Sequence, residues 1–116
     1  SYWFLGLTQI AANHIALGLD NIEIAEARGF TLTTDQILYV ISNYASIGKY
    51  DKIIKRYKTL IMKDPENVDY LQNLAAVYVA AGLKKEALET VNKAVRMFPP
   101  LKAAADQSIK EKKLNN

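Results

Sequence analysis

Two stretches of the chain answer each other at a spacing of 34 residues. Tyr44 recurs as Tyr78, Gly48 as Gly82 and Pro65 as Pro99; between them Val40 matches Leu74, Tyr57 matches Val91 and Leu60 matches Ala94. A fixed period of this length marks an array of helix-turn-helix units, none of which buries its apolar face alone. The chain is thereby restricted to paired helices stacked in register. Such arrays bind other molecules on an extended surface.

Within 34–65 and 68–99 apolar residues return at intervals of three and four, the spacing of a helix with one buried face. Thr33 and Gln36 have the spacing of a capping box, so a helix starts there and carries Ile37, Val40, Ile41 and Tyr44 inward until Gly48 stops it. Its partner runs from about Tyr50 to Met62 with Ile53, Ile54, Tyr57, Leu60 and Ile61 inward. Asp64-Pro65-Glu66-Asn67 is a hinge, since proline cannot continue a helix. The next helix buries Leu71, Leu74, Ala75 and Tyr78 and stops at Gly82; its partner, about Lys84 to Met97, buries Ala87, Leu88, Val91, Ala94 and Val95 before Pro99-Pro100. Residues 101–113 read as a capping helix, apolar at Leu101, Ala104, Ala105 and Ile109 and charged on the other face; residues after Lys113 are expected to fray.

The first 30 residues read as a worn repeat. Leu7, Ile10, Ala11 and His14 precede Gly18 as Leu71, Leu74, Ala75 and Tyr78 precede Gly82. This register makes Gly18 a helix stop, puts His14 between packed helices, and gives a short second helix of about Asp20 to Arg28 ending at Gly29. Gly18 and Gly48 are then 30 residues apart, as if four had been deleted. The expectation is seven helices in antiparallel pairs, forming a single all-α domain over 1–116.

Residues 68–99 resemble the tetratricopeptide repeat, through Leu71, Leu74, Ala75, Tyr78, Gly82, Ala87, Val91, Ala94 and Pro99. Residues 34–65 resemble it through Ile37, Val40, Tyr44, Gly48, Tyr57 and Pro65, with Ile41, Ile53 and Leu60 where the family prefers small residues. The resemblance implies an α-solenoid of about three repeats plus a cap, and a ligand groove lined by the first helix of each repeat. A looser resemblance connects Tyr57 to Asn67, Leu74 to Tyr78 and the run after Pro100 with the repeat tails of bacterial O-antigen ligase or polymerase-like membrane proteins. It implies an alternative role as the accessory soluble part of a membrane-bound glycan-assembly protein. The chain begins Ser1-Tyr2-Trp3 without an initiator Met and is expected to be cut from a longer protein.

Nothing in the sequence supplies catalysis. There is no cysteine, and the one histidine, His14, is expected between packed helices and not beside a nucleophile; a lone ligand cannot build a zinc site, and no glycine-rich phosphate loop occurs. Asp64 and Glu66 flank a helix start, where carboxylates favour the helix dipole. No enzyme activity, cofactor or metal is expected. The longest apolar run, Leu74 to Leu83, is about half of the roughly 20 residues that a membrane span needs. Compartment is left open. The net charge of +3 conceals −3 over residues 1–40 and +6 over the rest, too small a split to mark a nucleic-acid binder. Lys49, Lys52, Lys55, Arg56 and Lys58 read as the solvated face of a second helix.

The expected partner is a protein or peptide segment. The groove candidates are Tyr39, Ser42 and Ser46 in one repeat and Asp69, Gln72, Asn73, Ala76 and Val79 in the next, with Leu5, Thr8, Gln9, Ala12, Ile15 and Ala16 added by the worn repeat. Tyr39 is the large handle; Gln72 and Asn73 offer hydrogen bonds to an extended or helical peptide. Some family members clamp a peptide's terminal carboxylate with basic groups and asparagine. Here Tyr39, Asp69 and Asn73 hold three of those places, and Asp69 repels a carboxylate. Trp3, Phe4 and Leu7 on the apolar first helix offer a homodimer contact.

Overall fold

The computed structural model describes all 116 residues. It is all-α. Seven helices follow one another: α1 (Tyr2–Ala11), α2 (Ile15–Ala27), α3 (Thr34–Ser46), α4 (Tyr50–Lys63), α5 (Val68–Ala80), α6 (Lys84–Met97) and α7 (Lys102–Lys112). A 3₁₀ turn at Pro99–Leu101 precedes α7. The sequence period is visible in the elements. α3 and α5 are each 13 residues long and start 34 apart; α4 and α6 are each 14 residues long and also start 34 apart.

Local signals explain the helix ends. The Thr33 hydroxyl accepts from the Gln36 N–H at 3.2 Å while the Gln36 carboxamide accepts from the Thr33 N–H at 2.8 Å, which satisfies two otherwise orphaned donors. Asn67 caps α5 in the same way, accepting from the Tyr70 N–H at 3.2 Å. Gly48 and Gly82 stop α3 and α5 with φ of 69° and 77°, a conformation that a Cβ disfavours.

The contacts divide the chain into two compact units, Ser1–Lys52 and Ile53–Asn116, with the division inside α4. The first unit is built on Ile10, Leu19, Ile22, Ala25, Leu32, Ile37, Val40, Ile41 and Tyr44. Leu19, Ile22 and Val40 are essentially inaccessible, and each such aliphatic side chain contributes on the order of 2 kcal/mol. Around this core Trp3 stacks on Phe30 with ring centroids 5.4 Å apart, and the Arg28 guanidinium lies 4.8 Å from the Tyr2 ring. Glu23 on α2 accepts from the Tyr44 hydroxyl and pairs with Lys52 at 2.9 Å. Lys52 is thus tied down, whereas Lys49, Lys55 and Lys58 are exposed as expected. Of the three apolar residues offered as a homodimer contact, Phe4 is exposed while Trp3 and Leu7 are half-buried.

The first 30 residues form a helix pair, α1 and α2, but not in the expected register. Gly18 is the fourth residue of α2 and does not stop a helix. The turn falls at Ala12–His14, where Asn13 has φ of 66°. Asparagine is among the few side chains that tolerate this left-handed region. Asn13 therefore stands for Gly48, 35 residues on, so no deletion exists: the spacing is one longer than 34. The shift of register moves His14 out of the expected core. It is exposed, and it precedes α2 without a side-chain capping bond. Ala11 is exposed too, and α2 is a full 13 residues rather than a short stub. Ile15 and Ala16, expected on the first helix, belong to the second.

What Gly18 does instead is permit contact. A Cβ on Gly18 would stand 2.6 Å from the Gly6 carbonyl oxygen, and one on Gly6 would stand 2.6 Å from the Gly18 carbonyl oxygen. The two backbones touch where α1 crosses α2, and no side chain fits between them. Beside the crossing, the buried Asn21 amide donates to the Gln9 side chain at 2.7 Å and to the Leu17 carbonyl at 3.2 Å. Gln9 occupies the place of Tyr44 and Tyr78 in the corrected register.

The second unit is built on Ile53, Tyr57, Leu60, Leu71, Leu74, Ala75, Tyr78, Ala87 and Ala94. Its end differs from expectation. Lys113 turns left-handed at φ 53°, the Leu114 N–H bonds the Ile109 carbonyl at 3.0 Å, and Leu114 is buried instead of frayed. This is a helix end closed by an apolar contact. No helix is long and apolar enough to cross a membrane.

Candidate partner-binding site

The second unit contains a cavity of about 530 Å³ bounded by α5, α6 and α7. Its origin is the size of the residues that surround it. α5 presents Ala75, Ala76, Val79 and Ala80; α6 presents Val91, Ala94 and Val95; α7 presents Ala104 and Ala105. Methyl groups and valines hold the three helices in place without filling the space between them. Leu101 and Leu114 lie at the two ends of α7 and complete the apolar wall. The volume falls in the range of about 300 to 1,000 Å³ typical of ligand sites.

Three polar side chains also line the cavity: Gln72 on α5, and Ser108 and Lys112 on α7. None of the three makes a side-chain hydrogen bond or ion pair. This contrasts with the outer face of α7, where Lys102 pairs with Asp106 at 3.0 Å and Gln107 donates to Glu111 at 2.9 Å. The cavity therefore offers an apolar bed, a carboxamide that can both donate and accept, a hydroxyl, and one cation.

Among the residues singled out from the sequence, Gln72, Ala76 and Val79 are brought together here. Asp69 and Asn73 are exposed on α5 but do not line the cavity. Asn73 is engaged elsewhere. Burial pushes the Tyr57 hydroxyl above its usual pKa, the Asn73 side chain offsets part of this, and Tyr70 adds to it. The Tyr57 and Tyr70 rings lie 6.4 Å apart at a tilt of 50°. In the first unit Tyr39, Ser42 and Ser46 are exposed. The Ser42 hydroxyl donates to the Tyr39 carbonyl and the Ser46 hydroxyl to the Asn43 carbonyl, each at 2.7 Å. Both serines thus spend their donors on their own helix.

Sequence reasoning missed the contribution of α7. Ser108 was not singled out, Lys112 read as part of a solvated face, and Leu114 as frayed. A signal existed for the last: a leucine one residue past a helix end is placed to fold back on it. The first repeat adds no basic group to a carboxylate clamp either: in the expected register its two clamp places fall on Thr8 and Ala12, and in the observed one on Trp3 and Leu7. No group of three or more His, Cys, Asp or Glu side chains is gathered that could hold a metal ion.

Comparison with known proteins bears on this architecture. A tetratricopeptide repeat profile matches residues 46–106, a little over half of the chain. Among solved structures, one described as the crystal structure of MamA is 26% identical and superposes over 89% of the chain with a TM-score of 0.59. Another, described as the crystal structure of MamA protein, is 24% identical over 88% of the chain with a TM-score of 0.61. The chain spans 59% and 55% of those two structures' own lengths. The second likeness is one of fold. No curated protein matches the chain.

Proposed function

This chain belongs to the tetratricopeptide repeat family, and from that premise we propose a non-catalytic interaction module that takes a peptide or partner segment against α5, in the cavity closed by α6 and α7. The observation that carries the reading is the pairing of apolar walls with exposed polar groups that make no bond within the protein. Ala76, Val79, Val91 and Val95 form an apolar bed, and Gln72, Ser108 and Lys112 stand exposed at it without partners in the protein. Groups of this kind fix the direction and register of a bound segment, while burial of its apolar side chains supplies affinity. Tyr39, Ser42 and Ser46 are proposed as partner contacts of the first unit by itself.

The test is site-specific photo-crosslinking in cells that make the protein. A photoreactive amino acid at Gln72 is expected to capture a partner protein, and the same group at Lys58, on the exposed basic face of α4, is not. Capture at Lys58 alone, or equally at both, places binding away from the cavity and ends this reading.

A further inference from the structure

We infer that the α5–α6–α7 cavity selects an acidic apolar peptide segment, and that Lys112 reads its charge. The inference rests on the partner-binding reading above and adds the chemistry of the partner.

Lys112 is the one charged side chain among those that line the cavity, and it is unpaired. The carboxylates nearest to it in sequence are occupied: Glu111 accepts from Gln107, and Asp106 holds Lys102. Lys110 and Lys113 add positive charge on either side of it. The whole second unit, residues 53–116, carries 12 basic and 7 acidic groups, a net of +5, against −2 for residues 1–52. A basic segment is repelled from this surface and an acidic one is drawn to it. Charge alone does not favour a polyacidic chain, because the bed itself is made of alanine, valine and leucine and rewards only apolar surface. The complementary ligand presents several aliphatic or aromatic side chains with a carboxylate within one helical turn.

A free fatty acid also combines an apolar body with a carboxylate. Gln72 decides for the peptide. Its carboxamide stands unpaired at the α5 side of the cavity. A hydrocarbon tail laid over it displaces water from both its donor and its acceptor and replaces neither bond, whereas a peptide group satisfies both.

The experiment is selection from a displayed random library of peptides of about 12 residues on the full 116-residue chain. Enriched peptides are then synthesised and their affinities read by fluorescence anisotropy. Enrichment of Asp or Glu next to large apolar residues is expected. Lys112→Glu should weaken the selected peptides by about tenfold or more, and reversing the peptide's carboxylate to lysine should restore binding to that variant. Ala104→Phe, which puts a ring into the cavity from the exposed side of α7, should abolish binding of every selected peptide. Ser108→Phe repeats the test from one turn further on, and circular dichroism confirms that each variant is folded. Peptides without acidic residues, or an affinity that Lys112→Glu leaves unchanged, sink the charge inference while cavity binding stands. No enrichment at all, or peptides indifferent to both phenylalanine variants, sinks the cavity reading with it. Displacement of the selected peptides by dodecanoate assigns the site to a lipid. Concentration-dependent sedimentation that Lys112→Glu abolishes assigns it to a second copy of the chain. Either outcome overturns the inference.

Discussion

Where α1 crosses α2 the facing residues are Gly6 and Gly18; at the same two positions α5 and α6 hold Ala75 and Ala87. Both pairs are 12 residues apart, and so are Ile41 and Ile53. The α1–α2 pair closes to backbone contact and stitches its centre with the Gln9–Asn21 hydrogen bond. In the α5–α6 pair the two crossing residues carry methyl groups, and Tyr78 takes the place of Gln9. The difference teaches that the repeat is defined by the spacing of its crossing points and turns. Signature residues can all be replaced if the replacements solve the same steric problem. It also shows where the cavity comes from: small residues used against backbone leave no space, whereas small residues spread over three helices do.

The comparison breaks first at the glycines. Gly18→Ala is expected to cost about 3 kcal/mol of unfolding free energy, the high end for forcing extra atoms into a packed site, because beside the Ile10 side chain its nearest obstacle is a backbone carbonyl oxygen that cannot swing away. The reciprocal Ala87→Gly should cost only about 1 kcal/mol, mainly backbone entropy. Urea unfolding of both variants decides. A neutral or stabilised Gly18→Ala, as helix propensity alone would give, means that the helices do not touch.

Next come the tyrosines that share one repeat position. Tyr44→Phe removes a hydroxyl that donates to the Glu23 carboxylate and should cost about 1.5 kcal/mol. Tyr78→Phe, whose hydroxyl has no side-chain partner, should stay within about 0.5 kcal/mol of the parent. Equal losses would show that the position, not the bond, matters.

Tyr57 separates the units by pH. Its pKa in the folded protein is raised above the ordinary 10.0 by burial, so folding holds its proton more tightly than the unfolded chain does. The associated stability is whole below pH 10 and is lost as pH climbs through the folded value. Urea midpoints of the parent are expected to fall more steeply above pH 10 than those of Tyr57→Phe. Parallel curves would show that Tyr57 is not the group responsible.

The smallest effect sharpens the comparison. Asn13 occupies a left-handed turn position that Gly48 and Gly82 fill at lower cost. Asn13→Gly should therefore stabilise the protein by roughly 0.5 kcal/mol, part of the relief being returned as entropy. Hydrogen exchange of α1 and α2 is the measure. Faster exchange would mean that the asparagine side chain holds the turn in some other way.

Most of the fold could be read because the second and third repeats use the residues that mark such turns. Thr33 with Gln36, Gly48 and Gly82 each fix a helix end by local chemistry, and the observed ends fall within a residue or two of those read. The first repeat was misread because glycine has two uses. Gly18 was taken as a turn former when it serves close approach, and Asn13, the actual turn former, lacked the glycine label. The site was half legible. Gln72, Ala76 and Val79 follow from the outward face of α5, since one helix dictates its own faces. Lys112 depends on how α7 packs on α5 and α6, and Leu114 on a left-handed turn at Lys113 that the sequence signals only through the leucine after it. Asn73 looked free from its position on α5, but its neighbour across the helices is Tyr57.

The Gly6–Gly18 contact has a genetic corollary. Each residue's obstacle is the main-chain oxygen of the other, and glycine is already the smallest side chain, so no exchange at one position can make room for a larger residue at the other. A search for second-site suppressors of Gly18→Ala should return nothing at position 6. Any revertants should instead adjust flexible neighbours such as Ile10 or Ile22, whose side chains also crowd the two glycines. At the two glycines themselves the lineage of this chain can only retrace its steps.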